Sequence, residues 1–182
     1  VLRNCNRLNL ILDDLLELSR LESRRPDITL ETNDLTELLA SLAPDLQTRL
    51  EALGYRFILD LPDDPLPVKM DTFRINQVIE NLVSNARKYT PNGSTIVLGA
   101  SGTTSSIEFW IADDGPGIAE ADLPHIFERF YRVDKGRSRE TGGTGLGLSI
   151  VKHISEYHGG AVRAESTVGE GTRITIRLPR AG

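Results

Sequence analysis

Apolar residues recur along the chain with two spacings, one typical of helices and one typical of strands. Stretches with an apolar residue at every third or fourth position predict helices over 1–24, 34–53, 71–89 and 146–158, with a short one over 121–127. Alternating or short apolar runs predict strands over 28–30, 55–61, 68–70, 95–100, 106–112, 162–166 and 172–178. This order predicts an α/β (α+β) fold in which helices cover one face of a mixed sheet.

The first predicted helix has a wider leucine stripe than a surface helix needs. Its apolar positions follow the spacing of a coiled coil or helical bundle and include Leu8, Ile11, Leu15 and Leu18. Such a face must be covered, either by partner helices or, alternatively, by the chain's own domain. Because the chain begins inside this helical pattern, we expect it to be a piece of a longer protein.

A helix-breaking proline and the residues that can cap helices divide the chain into three parts. Pro26 ends the first helix, so 1–25 forms one unit, 26–33 a linker with an edge strand, and 34–182 a complete domain. Short polar side chains then precede the next two long helices. Asn33 or Asp34 can cap one of them, and Asp71 can cap the other.

Composition excludes several function classes. Among the 182 residues, 39% are apolar and 26% charged, which is ordinary for a globular protein, and the net charge of −5 disfavours nucleic acid as a partner. No apolar run approaches the roughly 20 residues of a membrane span, so we expect the chain itself to be soluble. The single Cys5 excludes an internal disulfide.

The helix over 71–89 carries the first candidate site. Asn81, Asn85 and Lys88 are spaced i, i+4, i+7 and therefore share one face. Amide oxygens suffice as Mg²⁺ ligands when a nucleotide supplies the negative charge, which makes Asn81 and Asn85 the metal candidates. Tyr89 can stack on a purine or close the core. Alternatively, these polar residues only face solvent.

Two glycine-rich segments supply the remaining chemistry. Asp113 ends a predicted strand, and Gly115 and Gly117 after it permit a sharp turn of the backbone. The Asp113 carboxylate beside this turn can accept a hydrogen bond from the exocyclic amine of adenine. Asp114, the next residue, is expected to point elsewhere. The second segment leads into a helix whose free amides can hold phosphates, and it consists of Gly143, Thr144, Gly145, Leu146 and Gly147. It matches neither GxGxxG after a strand nor a P-loop, and protein-kinase signatures are absent.

A basic, polar stretch over 128–144 separates the two glycine segments. A charge run of this kind is usually a solvated loop, but its position favours a mobile lid over the phosphates. An arginine on such a lid can offset the charge of a transferring phosphoryl group. Arg132 is the preferred candidate.

Taken in order, NLVSNARKYTPNG, DDGPGI, IFERFYRVD and GGTGLGLSIVKHI closely resemble the N, G1, F and G2 boxes of sensor histidine kinases of two-component systems. The resemblance spans about 71–154 and implies a two-layer α/β sandwich of the Bergerat type that binds ATP or ADP with Mg²⁺. It implies that 34–182 is the catalytic ATP-binding domain and that 1–25 is the second helix of the dimerisation and histidine-phosphotransfer domain.

The resemblance also implies a role for each matching residue. Asn81 and Asn85 correspond to the magnesium-binding asparagines, Lys88 to a phosphate contact and Tyr89 to the adenine-stacking ring. The other correspondences are Asp113 for adenine recognition, Gly115 and Gly117 for the G1 turn, Arg132 for the lid arginine, and Gly143, Gly145 and Gly147, with Thr144 and Leu146 between them, for the phosphate loop. Arg132 and Lys88 are then the candidate catalytic residues.

One departure from the family concerns the phosphoryl acceptor. The family phosphorylates a histidine followed by an acidic residue, whereas His125, His153 and His158 of this chain have no acidic residue after them. We therefore expect the chain to bind nucleotide without phosphorylating itself. The family further implies a response-regulator partner, a homodimer through the bundle helices and a parent protein at the cytoplasmic side of the bacterial inner membrane.

Related functions remain as alternatives. ATPases resembling DNA gyrase, mismatch-repair proteins or heat-shock chaperones use a glutamate four residues before the metal-binding asparagine, and Asn81 occupies that place here. A serine kinase is disfavoured by the leucine-rich first helix. A degenerate domain that only dimerises is disfavoured because every expected type of nucleotide contact is present.

Overall fold

The computed structural model describes residues 2–22, 28–133 and 143–181. Its helices are α1 (Leu2–Glu22), α2 (Leu35–Ala52), α3 (Thr72–Tyr89) and α4 (Gly147–Tyr157). Its strands are β1 (Glu31–Asp34), β2 (Arg56–Asp60), β3 (Pro67–Met70), β4 (Thr95–Gly102), β5 (Ser106–Asp113), β6 (Ala161–Thr167) and β7 (Gly171–Pro179). The short helix predicted over 121–127 is a single 3₁₀ turn, Leu123–His125.

The main sheet has five strands in the order β2-β4-β5-β7-β6. β2 and β4 run parallel, and the other neighbours are antiparallel, which confirms the predicted mixed sheet. β1 and β3 form a separate two-stranded sheet. Asp113 is the last residue of the central strand β5, where it pairs with Ile96 of β4, so the G1 turn starts where β5 ends.

The edge strand predicted over 28–30 is wrong by three residues. The strand is instead β1, whose polar sequence ETND pairs with β3 from Glu31 opposite Met70 to Asp34 opposite Pro67. Its position is set by backbone pairing with a distant strand, whereas the prediction followed the apolar Ile28 and Leu30.

Capping residues begin the two long helices of the domain as predicted. Asp34 accepts a hydrogen bond of 2.9 Å from the Thr36 amide and another of 2.9 Å from Leu66. Asp71 accepts from the Arg74 amide at 3.1 Å. Each carboxylate thereby satisfies an amide that the helix leaves unpaired.

The core lies between the sheet and the helices, and α3 contributes one whole face to it. The buried residues of that face are Ile75, Val78, Ile79, Leu82, Val83 and Ala86. They meet the inner side of β5, where Phe109 is fully buried, and they meet α4 through Ile150 and Ile154. Because this stripe faces inward, the opposite face of α3 remains available for the polar side chains.

The leucine face of α1 is covered at one end and open at the other. Leu18 and Leu21 are buried in the domain core, against which α1 packs beside α4. Leu8, Leu12 and Leu16 are each more than half exposed. The last turns of the helix therefore pack on its own domain, which was the alternative prediction for this leucine face. Its first turns keep an uncovered apolar face.

His158 links α4 to the start of α3. Its Nδ1 lies 2.7 Å from the Ile154 carbonyl and its Nε2 lies 3.1 Å from the Asp71 amide, so Nδ1 carries the proton and Nε2 accepts. Burial lowers the pKa of His158, opposed by the Ile154 carbonyl and by Asp71. The neutral ring is thus the form that the fold requires.

This arrangement predicts acid sensitivity of the fold. A histidine with a lowered pKa contributes stability that is present above its unfolded pKa of about 6.5 and is lost as the pH falls through the folded value, by at most about 1.4 kcal/mol per pH unit. His158→Gln preserves one donor and one acceptor, and it should flatten the pH dependence of the unfolding free energy measured by urea denaturation below pH 6.5. His125→Gln, which removes an exposed histidine, is the matched control, and the pH profile of His158→Gln should be flatter than that of His125→Gln. Parallel profiles for His158→Gln and the unchanged chain would contradict the assignment.

Candidate functional site

A cavity of about 890 Å³ opens between α3, the end of β5 and the glycine segment before α4. All but two of the predicted site residues line it: Asn81, Asn85, Lys88, Tyr89, Asp113, Gly117, Arg132, Gly143, Thr144, Gly145 and Gly147. The volume lies within the range of about 300–1,000 Å³ that is usual for small-molecule sites. Tertiary folding therefore brings residues of four separate motifs to one space.

Gly115 and Leu146 lie behind this lining. The Gly115 amide donates to Asp113 Oδ1 at 3.0 Å, and a side chain at Gly115 would approach that oxygen and Thr90 Oγ1 to 2.7 Å each. Leu146 is fully buried in the core, and its amide donates to Thr144 Oγ1 at 3.2 Å. Both residues shape the cavity through their neighbours.

Asn81 presents its amide oxygen to the start of α4. Its Nδ2 donates to the Gln77 carbonyl at 3.0 Å, which identifies the other atom as the oxygen. A Cβ added to Gly147 would lie 3.0 Å from that Oδ1. Asn85, one turn further along α3, lines the same cavity, so two side-chain amides that can supply neutral oxygen ligands of the kind that Mg²⁺ accepts belong to its wall.

Cationic groups converge on Gly143. A Cβ built there would have Lys88 Nζ at 3.8 Å, Arg132 Nη2 at 3.9 Å and Tyr89 Oη at 3.9 Å. Burial lowers the pKa of Lys88, the positive charges of Arg87 and Arg132 act in the same direction, and Asp14 opposes them. Two cations close together and partly desolvated form a site for a polyanion.

Asp113 forms the other end of the cavity. Burial raises the pKa of its carboxyl, and the hydrogen bond from the Gly115 amide opposes this rise. Thr90, at the end of α3, buries its hydroxyl beside this carboxylate. Asp113 and Thr90 thus provide polar groups next to the apolar side chains of Ile111, Ile118 and Ile174. This combination of polar and apolar contacts suits a flat heterocycle.

The glycine turns need glycine for two physical reasons. Gly117 and Gly145 have φ of +70° and +76°, values that residues with a Cβ rarely adopt. A Cβ at Gly117 would also lie 2.1 Å from the Thr167 carbonyl oxygen, and one at Gly145 would lie 2.9 Å from Phe130 Cα. The sharp turns predicted from the sequence are thus present.

Other predicted features have mixed outcomes. Tyr89 is about half exposed and so does not close the core. Asp114 is exposed and accepts from the Thr95 amide at 2.8 Å, away from the cavity as predicted. Of the lid predicted over 128–144, the part at 134–142 lies outside the described residues.

Sequence reasoning missed Thr90 and Asp14 at this site. Asp14 belongs to α1, yet its carboxylate lines the cavity and accepts from Thr144 Oγ1 at 2.6 Å. No signal near Asp14 in the sequence indicates this contact, since the two residues are 130 positions apart. Thr90 followed Tyr89 in the motif but was interpreted only as a helix end.

Comparison with known proteins identifies the family. The model of the "Histidine kinase-, DNA gyrase B-, and HSP90-like ATPase" family matches residues 70–182. Sensor histidine kinase WalK of Bacillus subtilis (strain 168) is 39% identical over 171 residues, which cover 93% of this chain and 28% of WalK. The chain thus spans less than a third of that relative.

Solved structures give the same result. Full-length ShkA in complex with AMPPNP has a TM-score of 0.82 and 30% identity, covering 96% of this chain and 36% of ShkA. Histidine kinase ThkA in complex with the response regulator TrrA has a TM-score of 0.78 at 24% identity, covering 98% of this chain and 48% of that one. This similarity shows that the two chains share a fold.

Among the described residues, no helix is long and apolar enough to cross a bilayer.

The converging motifs, the matched family model and the shared fold have one explanation. The chain belongs to the histidine kinase-, DNA gyrase B- and HSP90-like ATPase family and carries the catalytic ATP-binding domain of a sensor histidine kinase.

Proposed function

We propose that this domain holds Mg²⁺-ATP in the described cavity and transfers the γ-phosphoryl group to a histidine of another helix. The observation that carries the proposal is the convergence of α3 amides, a half-buried carboxylate and two cations around one cavity. Each group suits a different part of a nucleotide. The cavity is also large enough to bury most of one.

The nucleotide's direction follows from the charge distribution. The adenine lies at the end with Asp113 and Thr90, where the carboxylate accepts from the exocyclic amine, and Tyr89 stacks on the ring. The phosphates lie at the opposite end, against Lys88, Arg132 and the backbone amides of 143–147. This placement separates the Asp113 carboxylate from the polyphosphate.

Asn81 and Asn85 would hold the magnesium ion. Their donor set fits the ion because the oxygens are hard and neutral and the phosphates supply the charge. When bound, Mg²⁺ would neutralise charge on the phosphate oxygens.

The domain contributes positioning and electrostatics to the transfer. The glycine segment fixes the phosphates so that the γ-phosphoryl group faces the incoming imidazole in line. Lys88 and Arg132 offset the charge that spreads over the equatorial oxygens. Asn81 stands where related ATPases have a glutamate, and an amide cannot deprotonate water, which favours phosphoryl transfer over hydrolysis.

The acceptor histidine is proposed to lie outside this chain. His125 pairs with Glu128 at 2.7 Å, His153 lies 2.8 Å from the Ser149 carbonyl through Nδ1, and His158 is buried with both nitrogens bonded. None of the three is among the residues described as lining the cavity. An in-line acceptor must reach the γ-phosphate, so these histidines are not suited to the role.

Incubation with γ-labelled ATP tests this proposal. The chain alone should acquire no acid-labile, base-stable label, whereas a longer protein that includes a histidine followed by an acidic residue on a preceding helix should become labelled. Substituting that histidine in the longer protein is the control, and it should abolish the label. A stable label on the chain alone would contradict the assignment of the acceptor.

The partners and location proposed for the whole protein follow from the family. The phosphohistidine would pass its group to an aspartate of a response regulator; ThkA, which shares the fold, has been crystallised in complex with the response regulator TrrA. The exposed leucines of α1 would pair with a second copy in a homodimer. A membrane-anchored parent would hold this domain at the cytoplasmic side of the inner membrane.

A further inference from the structure

The carboxylate of Asp14 occupies the phosphate end of the cavity. It accepts from Thr144 Oγ1 at 2.6 Å, within the glycine segment proposed to hold the phosphates. Its negative charge also acts on Lys88, since it opposes the lowering of the Lys88 pKa. An acidic side chain thus lies among the groups that a polyphosphate would use.

Asp14 is held there by the packing of α1. Asp14, Leu18 and Leu21 are spaced i, i+4, i+7, and Glu17 lies three residues after Asp14 and four before Leu21, so all four share one helix face. Glu17 pairs with Arg74 at the start of α3 in a largely buried contact, and Leu18 and Leu21 are buried in the core. The position of Asp14 is therefore a consequence of helix docking.

Nucleotide phosphates and Asp14 require the same partners. Both are anions and both are attracted to the Lys88 ammonium, and Asp14 already accepts from Thr144 in the segment that would hold the phosphates. Two anions in a partly buried site repel each other more strongly than in water because the effective dielectric constant is lower. A bound triphosphate and a docked Asp14 carboxylate therefore disfavour each other.

We propose that Asp14 makes α1 an autoinhibitory latch, in which docking of the helix and binding of a nucleoside triphosphate oppose each other. The inference rests on the proposed nucleotide site and adds its regulation. In the proposed orientation the adenosine lies at the Asp113 end, so each added phosphate extends towards Asp14 and the opposition grows with the number of phosphates. Any movement that lifts α1 from the domain raises the affinity for ATP, and by linkage ATP binding loosens α1.

Asp14→Asn tests the latch by removing the charge while leaving the shape of the side chain. Titration calorimetry of the full chain with AMP, ADP and ATP should show about fivefold tighter ATP binding, a smaller gain for ADP and none for AMP, as expected for one removed like charge. Added salt should reduce the difference. Asp13→Asn, one residue earlier and exposed on another face of α1, removes the same charge and should change nothing.

A second variant tests the coupling to helix docking. Glu17→Gln weakens the contact with Arg74 outside the cavity lining, and it should also tighten ATP binding. In the Asp14→Asn background the same change should have little further effect, because the repulsion is already gone. Additive gains from the two substitutions would overturn the latch.

The remaining outcomes separate the latch from the nucleotide site. Equal effects of Asp14→Asn and Asp13→Asn, or weaker ATP binding in Asp14→Asn, would overturn the latch and leave the site intact. Failure of the unchanged chain, Asp14→Asn and Glu17→Gln to bind AMP, ADP or ATP would overturn the proposed site together with the latch. Binding of ATP only after Asp14→Asn or Glu17→Gln would support the latch.

Discussion

Asp113→Asn is expected to weaken ADP binding by about tenfold to a hundredfold, the range for losing a hydrogen bond to a charged group. The carboxylate lies at the end of β5, with its Oδ1 held by the Gly115 amide at 3.0 Å. In the variant, the Nδ2 of the asparagine presents N–H donors where the adenine amine also donates. Calorimetry without metal isolates this effect, because adenine recognition does not involve Mg²⁺.

Asp114→Asn is the matched control for this substitution. Asp114 is the next residue, carries the same charge and accepts from the Thr95 amide outside the cavity. We expect it to leave ADP affinity within about twofold, since an exposed charge has little effect at this distance. Equal losses in the two variants would indicate a general charge or stability effect and would contradict adenine recognition by Asp113.

Asn85→Ala is expected to remove most of the metal-dependent part of ATP binding, a loss of about tenfold to a hundredfold when Mg²⁺ is present. The substitution deletes one of two amide oxygens on the cavity face of α3, and an ion with strict octahedral preference loses a ligand that the cavity supplies. Without Mg²⁺ the affinities of variant and unchanged chain should be similar. ATP titrations in Mg²⁺ and in EDTA measure the affinity with and without the metal ion.

Asn92→Ala is the control for Asn85→Ala. Asn92 is an exposed amide shortly after α3 and is not among the residues described as lining the cavity. Its loss should leave the Mg²⁺ dependence of ATP affinity unchanged. If Asn85→Ala weakened binding equally with and without Mg²⁺, the oxygen would serve the nucleotide or the fold, and the metal assignment would fall.

Much of the domain was predictable from local patterns. The stripe of apolar residues on α3 predicted its buried face. The spacing of Asn81, Asn85 and Lys88 predicted that these three side chains share the opposite, polar face. Asp34 and Asp71 predicted the starts of α2 and α3. These features depend on contacts within one or two turns, so the residues that determine them are close together in the sequence.

Errors arose where an element depends on a distant partner. β1 lies at Glu31–Asp34 because β3 pairs with it, although apolarity favoured the residues before it. The leucines of α1 looked alike in the sequence, yet Leu18 and Leu21 are buried while Leu8 and Leu12 are exposed. The helical period is the same along α1, and only docking beside α4 distinguishes its two ends.

Local sequence patterns were sufficient to predict the helices, most strands, the capping residues and the set of groups from which a nucleotide site is built. Long-range packing is what places these groups around one cavity and adds Thr90 and Asp14 to them. Local spacing follows from the periods of helix and strand, which are properties of the backbone. Asp14 and Thr144 are 130 residues apart in the sequence. They come into contact because the burial of Leu18 and Leu21 in the core docks α1 onto the domain.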